Sequence, residues 1–128
     1  MHKTINPKIL RSPLARYSHA VETAPNLRFV LCSGQLGIEA SGAVPEGAET
    51  QSDLCFAAIS VILAEAGMGM GDVVRLNAYV TSADYLADYM RSRDRHVVSP
   101  PPASTLMIVS GFARPEFKVE VEVIAAAP

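Results

Sequence analysis

The chain has 128 residues, of which 49% are hydrophobic and 19% are charged, and it carries a formal net charge of −2. A chain of this length can bury a substantial core, and this composition excludes an intrinsically disordered protein. Its basic residues are scattered, which excludes the positive surface that binding to nucleic-acid phosphates requires. We therefore expect one globular domain over residues 1–128, with no nucleic-acid partner.

Neither a signal peptide nor a membrane span is indicated. The first six residues contain no apolar run, and the most apolar internal stretch, residues 54–66, is interrupted by Ser60 and Glu65. Cys32 and Cys55 lie in apolar runs without metal-ligand spacing, which is typical of buried free thiols in a reducing compartment. We expect a cytoplasmic protein with no membrane association, no metal and no other cofactor.

The predicted elements begin with a strand over residues 27–34, an apolar run between a Pro-Asn turn signal and Gly34. The weakly alternating residues 17–22 are predicted to pair with this strand as a hairpin. Residues 37–47 are rich in Gly, Ala, Ser, Glu and Pro, so they are predicted to form a surface loop.

A helix is predicted next, with Thr50 as its N-cap and Asp53 completing a shortened capping box. Gly67 is predicted to supply its left-handed C-cap. Cys55 and Ile59 widen the apolar stripe, so the helix should be largely covered. The stripe itself has helical spacing and comprises Leu54, Ala57, Ala58, Val61, Ile62 and Glu65.

Residues 73–80 alternate with a period of two and are predicted to form a strand. Its inner face comprises Val74, Leu76, Ala78 and Val80, and its outer face Val73, Arg75, Asn77 and Tyr79. A second helix is predicted over residues 84–96, capped by Thr81 or Ser82 and unable to continue through the prolines at 100–102. Its inner stripe comprises Leu86, Tyr89, Met90 and Val97. The nearby Arg91, Arg93 and Arg95 are interpreted as a solvated face.

Strands are predicted over residues 104–110 and 117–126. In the second, Lys118, Glu120, Glu122 and Ile124 alternate with Val119, Val121, Val123 and Ala125. The order of elements predicts an α+β domain in which two helices cover one face of a mixed sheet.

The other face of the sheet must be exposed to solvent or must pack against another chain. If Ser104 lies on it, Leu106 and Ile108 lie beside it, and with Tyr79 they form an exposed apolar patch unusual for a monomer. We therefore expect a homo-oligomer with ligand clefts between subunits.

Glu122 has two readings, since it lies in a strand whose neighbours are valines. It is either solvated or ion-paired at a sheet edge, or partly buried, where desolvation would suit it to proton transfer. Glu120 faces the same choice, with less reason to assign it a function.

Several short motifs resemble those of the reactive-intermediate deaminase superfamily, the RidA, YjgF, YER057c or UK114 family. The resemblance runs in order from residue 17 to residue 125. Its motifs are Tyr-Ser at 17–18, Ser-Gly-Gln-Leu at 33–36, Glu-Ala-Gly-Met at 65–68, Gly-Asp-Val-Val-Arg at 71–75, Pro-Pro-Ala-Ser at 101–104 and Val-Glu-Val-Glu-Val-Ile-Ala at 119–125.

The resemblance implies a chorismate-mutase-like fold of the bacillus type, assembled as a homotrimer with a small-metabolite pocket at each subunit interface. Deaminating members hydrolyse imines or enamines to carbonyl compounds and ammonia without a metal or cofactor. Carried over by position, Glu122 corresponds to the catalytic glutamate. The substrate-binding positions are Tyr17, Ser33, Gly34, Gln35 and Ser104.

The chain departs from the family pattern at Ser104, where deaminating members have an arginine that binds the substrate carboxylate. Leu106 stands where many of them have a cysteine, and His19 replaces a common glutamine. Among the other cations, Arg16, Arg75 and Arg114 are candidates to restore the positive charge. Arg75 is the best of them if it shares the open sheet face, and the other reading, which we favour, is that Arg75 is solvated or ion-paired.

Two functions follow from this pattern. The first is an imine or enamine deaminase whose substrate lacks a carboxylate or presents it differently, since Tyr17, Gln35 and Glu122 are retained. The second is a non-catalytic trimer that binds a metabolite or a partner, since Ser104 and Leu106 depart from the pattern. Ribonuclease activity has no support in the sequence, which shows no basic stripe with interleaved aromatic residues.

Overall fold

The computed structural model describes residues 2–128. Within that range the elements are β1 (Lys3–Ile5), β2 (Ala20–Glu22), β3 (Arg28–Leu36), α1 (Ala48–Glu65), β4 (Val73–Val80), α2 (Leu86–His96), β5 (Ala103–Ile108) and β6 (Val119–Ala127). Short 3-10 turns at Met70–Asp72 and Ala83–Tyr85 precede β4 and α2. None of the helices between residues 2 and 128 is long and apolar enough to cross a membrane.

The main sheet has four strands in the order β3-β6-β4-β5. β6 is antiparallel to both of its neighbours, β3 and β4, whereas β4 and β5 are parallel. The sheet is therefore mixed, as predicted, with β3 and β5 at its two edges.

Both helices pack on one face of this sheet, which confirms the predicted α+β arrangement. The predicted inner face of β4 is buried, with Leu76, Ala78 and Val80 fully inaccessible to solvent. They share one core with Phe56 of α1 and Tyr89 of α2. The valines of β6 are buried on the same side, so the alternation identified the covered face of both strands except at Val73. This residue was predicted to face outward, but it is buried in the core where the pairing of β4 with β6 shifts register.

The start and the buried face of α1 differ from the prediction. The helix begins at Ala48 with Gly47 as its N-cap, so Thr50 lies inside it, while Gly67 does adopt the left-handed conformation after its end. Val61, predicted to face inward, is 67% exposed. The apolar residues that are buried are Ala48, Cys55, Phe56, Ile59 and Leu63. Apolar residues surround most of this helix, so their spacing did not define a single stripe.

The predicted hairpin between residues 17–22 and β3 is wrong. β2 pairs instead with β1, with Thr4 opposite Val21. The neighbour of β3 is β6, which buries its valines against the helices, whereas β2 is largely exposed. Because β1 and β2 have only three residues each, their sequences carry too little alternation to identify a partner.

The arginines of α2 do not form one solvated face. Arg91 and Arg95 donate to Glu49 of α1 at 2.9 and 2.7 Å, and Arg95 also donates to Asp53 at 2.7 Å. Arg93 points to the other side and is only 5% exposed. The outer arginines therefore link the two helices, and the middle one lies in the interior.

Both cysteines are free and buried, as predicted. Burial raises the pKa of Cys55 to about 12, and it also raises the pKa of Cys32. A thiol with a raised pKa is a poor nucleophile near neutral pH. These side chains therefore act as small apolar residues in the core.

Candidate functional site

The segment around Tyr17 lies against the start of β5. The Ser18 amide donates to the carbonyl of Pro102 at 2.9 Å, and the Ser18 hydroxyl donates to the carbonyl of Pro101 at 2.6 Å. Ser18 also forms an isolated parallel bridge with Ala103. These contacts bring Tyr17 beside Ser104, so two of the predicted binding residues do meet.

Tyr17 and Ser104 line a cleft of about 330 Å³, which we call the edge cleft because it lies at edge strand β5. Its volume is near the lower end of the range for small-molecule pockets. The cleft is lined by Leu14, Ala15, Tyr17, Met90, Arg93, Ser104, Thr105 and Leu106.

The residues next to Tyr17 hold the segment in place. The Tyr17 hydroxyl accepts a hydrogen bond from the Leu14 amide at 3.3 Å. The ring of His19 meets the Tyr17 ring edge-on at 6.0 Å, and Nε2 of His19 lies 2.8 Å from the carbonyl of Arg11. Arg16 donates to the carbonyl of Val97 at 3.2 Å. His19 and Arg16 thus orient the segment rather than line the edge cleft.

A second cleft, of about 180 Å³, lies on the sheet face that the helices leave uncovered, and we call it the face cleft. Its central group is Glu122, whose Oε1 accepts hydrogen bonds from the Tyr79 hydroxyl at 2.6 Å and from Nδ2 of Asn77 at 3.3 Å. The cleft is lined by Leu31, Cys32, Arg75, Asn77, Glu122, Val123 and Ile124.

These bonds affect the two partners of Glu122 differently. The hydrogen bond to Glu122 raises the pKa of Tyr79, with smaller contributions from burial and from the carboxylate charges, so the phenol stays a donor. Oδ1 of Asn77 is buried and has no partner among residues 2–128. Glu122 is half-buried and lies within the sheet, so the partly buried reading of its sequence position agrees with this geometry.

Ser33, Gly34 and Gln35 lie at a bulge in β3, where the pairing with β6 shifts between Cys32 and Gln35. Nε2 of Gln35 donates to the Ser33 carbonyl at 3.1 Å. A Cβ atom on Gly34 would lie 2.4 Å from Oε1 of Glu120, so the absence of a side chain gives that carboxylate its place. Gly34 therefore lies against Glu120, and none of the three residues lines either cleft.

The pKa of Glu120 is raised by its burial, and the charge of Glu122 raises it further. The two carboxylates are on the same face of β6, as the alternation predicted. The bulge thus places a carboxyl group of raised pKa next to the face cleft.

Ser104 does not lie on the uncovered sheet face, which was the condition for the expected apolar patch with Leu106, Ile108 and Tyr79. In the β4–β5 register, Ser104, Leu106 and Ile108 pair with residues of β4 that face the helices, so they share that side of the sheet. The outward residues of β5 are Thr105 and Met107, paired with Asn77 and Tyr79. The uncovered face is nevertheless apolar in part, because Phe29, Leu31 and Met107 are 53%, 75% and 51% exposed.

The candidate cations have separate positions. Nη2 of Arg75 donates to Oγ1 of Thr105 at 2.6 Å, and Arg75 lines the face cleft. Arg114 pairs with Glu116 at 3.1 Å and stacks over Phe117. The edge cleft contains a different guanidinium, that of Arg93. Its position at helical spacing from Tyr89, Met90 and Val97 was the available sequence signal for an inward side chain.

Three of the six predicted site residues thus line a cleft, and they are divided between two separate clefts. Tyr17 and Ser104 line the edge cleft, and Glu122 lines the face cleft. Thr105 connects them, since it lines the edge cleft and accepts a hydrogen bond from Arg75 of the face cleft. No group of three or more His, Cys, Asp or Glu residues within residues 2–128 is arranged to hold a metal ion.

Comparison with known proteins identifies the relatives of this chain. Residues 9–127 match the family model described as Endoribonuclease L-PSP. A Rid-family protein from Yersinia pestis is 28% identical over 98% of both chains, with a TM-score of 0.84. RidA from an Antarctic Psychrobacter is 27% identical over 98% of this chain and 99% of its own, with a TM-score of 0.73.

A YjgF-family protein from Neisseria meningitidis is 29% identical over 88% of each chain, with a TM-score of 0.69. No curated protein matches the sequence. The family match covers nearly the whole chain, and the fold agrees with it in both helices and the mixed sheet. The chain therefore belongs to the Endoribonuclease L-PSP family, whose members are also known as the RidA, YjgF, YER057c or UK114 proteins.

Proposed function

We propose that this protein hydrolyses an imine or enamine metabolite to a carbonyl compound and ammonia, at a site completed between copies of the chain. The observation that carries the proposal is Glu122, a half-buried carboxylate held by Tyr79 and Asn77 in a cleft on the uncovered sheet face. A positioned carboxylate in a partly desolvated cleft is suited to proton transfer. The reaction uses no metal and no cofactor.

The chemistry follows from the free side of Glu122. Both hydrogen bonds go to Oε1, so Oε2 is left to orient a water molecule. The carboxylate takes a proton from this water while the water oxygen bonds to the imine carbon, and the C=N bond becomes a C–N bond. Glu122 then returns the proton to nitrogen. Collapse of this carbinolamine forms the carbonyl group and releases ammonia.

A ligand that contacts both clefts requires more than one copy of the chain. Within one chain the two clefts are separate, because the edge cleft is lined by residues 14–17, α2 and β5, whereas the face cleft is lined by β3, β4 and β6. The exposed side chains of Phe29, Leu31 and Met107 favour burial of the uncovered face against other copies. We propose a homotrimer in which the edge cleft of one subunit adjoins the face cleft of the next. Sedimentation equilibrium measures its mass.

Ammonia release from imines that are generated in the assay tests the reaction. We expect acceleration with freshly generated 2-iminopropanoate or with a neutral imine, and a loss of roughly 100-fold or more in Glu122→Gln, because general acid–base catalysis contributes about 10²–10⁴-fold. Glu65→Gln is the matched control, since Glu65 is exposed at the end of α1. The proposal is wrong if neither the wild type nor Ser104→Arg accelerates release from any imine.

The alternative function is a trimer that binds a metabolite or partner without converting it. A thermal-shift screen against metabolites separates the two functions, because a ligand that binds only the folded state stabilises it whether or not it is converted. A ligand that raises Tm and is recovered unchanged, with no imine turned over, would support the binding function.

The description of the matched family names an endoribonuclease. The charge distribution does not favour RNA binding, because the net charge is −2 and because Arg91 and Arg95 are neutralised by Glu49 and Asp53. Incubation of the protein with single-stranded RNA, followed by gel electrophoresis, tests it directly. Cleavage that Glu122→Gln abolishes would favour the nuclease over the deaminase.

A further inference from the structure

Arg93 combines deep burial with incomplete pairing. Its side chain is 6% exposed and lines the edge cleft. Arginine is almost never buried to this extent unless its charge is paired. The stem crosses the ring of Tyr89, with the guanidinium carbon 6.0 Å from the ring centroid. The helix thus holds a permanent positive charge against the cleft wall.

The pairing of this charge leaves one edge of the guanidinium free. Its hydrogen bonds within residues 2–128 run from Nε and Nη2 to the same oxygen, Oδ1 of Asp94, at 3.2 and 3.0 Å. Nη1 has no partner in that range. Asp94 itself is 51% exposed, so its carboxylate is well solvated and compensates the buried charge only in part. The terminal edge formed by Nη1 and Nη2 has the geometry that binds a carboxylate with two parallel hydrogen bonds.

The rest of the edge cleft fits the same kind of ligand. Within the described chain the Ser104 hydroxyl takes part in no hydrogen bond, so it is free to donate to an anion. The side chains of Leu14, Met90 and Leu106 supply an apolar wall for a short alkyl group. A volume of about 330 Å³ limits the ligand to a small molecule.

We propose that the edge cleft binds small carboxylic acids with an alkyl side chain. In this proposal Arg93 of α2 binds the carboxylate, and the Ser104 hydroxyl donates a further hydrogen bond to it. Strand β5 then needs no cation of its own at position 104. The inference deepens the proposed deaminase function and rests on it for one detail, that the acid in turnover is a 2-imino acid. Carboxylate binding itself is independent of any reaction.

Binding of 2-oxobutanoate and of its neutral amide, measured by calorimetry on the assembled protein, tests the proposal. For the wild type we expect the acid to bind roughly 10- to 100-fold more tightly than the amide, as is typical of a charge-assisted bidentate contact. Arg93→Gln should bind both compounds about equally. Arg91→Gln is the matched control, because Arg91 is an exposed arginine of the same helix and should leave the preference intact.

A wild-type preference that survives in Arg93→Gln overturns the proposal, and so does equal binding of acid and amide to the wild type. Loss of the preference in Arg75→Gln but not in Arg93→Gln would place the carboxylate in the face cleft instead. If Arg93→Gln does not fold, an NMR measurement on the wild type tests the proposal. Addition of the acid, and not of the amide, must then shift the ¹⁵Nε signal of Arg93.

The outcomes for the site and for the reaction are separable. Acid-selective binding that depends on Arg93 without ammonia release supports this inference and contradicts the deaminase. Turnover of imines without any preference for a carboxylate supports the deaminase and contradicts this inference.

Discussion

The Tyr79 hydroxyl lies 2.6 Å from Oε1 of Glu122, across the adjacent strands β4 and β6. The phenol donates and the carboxylate oxygen accepts, and this hydrogen bond raises the pKa of Tyr79. The pair fixes the orientation of the only half-buried carboxylate that lines either of the two clefts described above.

Replacement of Glu122 should lower the pKa of Tyr79. The hydrogen bond to Glu122 is the largest cause of the raised phenol pKa, so Glu122→Gln should return it towards its ordinary value of about 10. Because the pKa of Tyr79 is higher in the folded state than in the unfolded state, the contribution of its hydrogen bond to folding stability is present in full below pH 10. This contribution is lost as the pH rises through the folded pKa. The ¹³Cζ NMR signals of the tyrosines, followed from pH 8 to pH 12, measure this.

The Tyr79→Phe spectrum assigns the Tyr79 signal, and Glu65→Gln, which changes an exposed glutamate, should leave that signal's titration unchanged. A Tyr79 titration that is the same in the wild type and in Glu122→Gln would contradict the prediction.

Replacement of Glu120 should stabilise the protein at neutral pH. Burial and the charge of Glu122 raise the pKa of Glu120, so its ionised form is penalised in the folded state. With the folded pKa above the unfolded one, stability falls as the pH rises from the ordinary carboxyl range through the folded value. Glu120→Gln removes this penalty. Thermal unfolding at pH 7 and pH 4 should show a higher Tm for the variant at pH 7 and a smaller difference at pH 4.

Substitution by alanine should destabilise the protein more at Gly37 than at Gly34. A Cβ atom on Gly37 would lie 2.6 Å from the Cα atom of Gln51, so α1 would have to move, whereas on Gly34 it would meet the flexible carboxyl end of Glu120. We expect Gly37→Ala to lose about 1–3 kcal/mol, the usual cost of overpacking, and Gly34→Ala to lose less. Urea unfolding measures both, and equal losses would contradict the distinction.

Gln51 should be needed for stability rather than for activity. It is fully buried, and its amide donates to the carbonyls of Pro45 and Glu116 at 2.8 and 2.9 Å and accepts from the Lys118 amide at 2.8 Å. Gln51→Leu leaves these backbone groups without a hydrogen-bond partner, and each group that stays buried then costs about 1–3 kcal/mol of stability. Gln35→Leu is the control for urea unfolding, and a similar small loss in both variants would contradict this role.

The sequence predicted the parts of the fold that local alternation determines. The period of two in β4 and β6 identified which side chains are buried, with the exception of Val73, because each strand packs one face on the helices. Gly67 likewise marked the end of α1, since the left-handed conformation favours glycine. Tyr17 and Ser104 were assigned as binding residues only through the resemblance to a family, and both line the edge cleft.

The parts that were missed depend on neighbours distant in the chain. The face on which Ser104 lies is set by its register with Leu76, which the sequence of β5 alone does not contain. The inward position of Arg93 depends on how α2 packs, with Arg91 and Arg95 drawn outward to the acidic residues of α1. Gln51 looked like an ordinary polar residue of a first helical turn, because its three partners come from two separate loops.

The position of β6 in the sheet has a consequence for synthesis on the ribosome. β6 is the last of the strands to be made, yet it lies between β3 and β4 and joins them. Until it emerges, β3 has no neighbour in the main sheet, β4 is paired only with β5, and α1 lacks one of the strands on which it packs. A nascent chain that pauses before residue 119 therefore exposes the unpaired edges of β3 and β4 and part of the apolar face of α1, a state prone to aggregation.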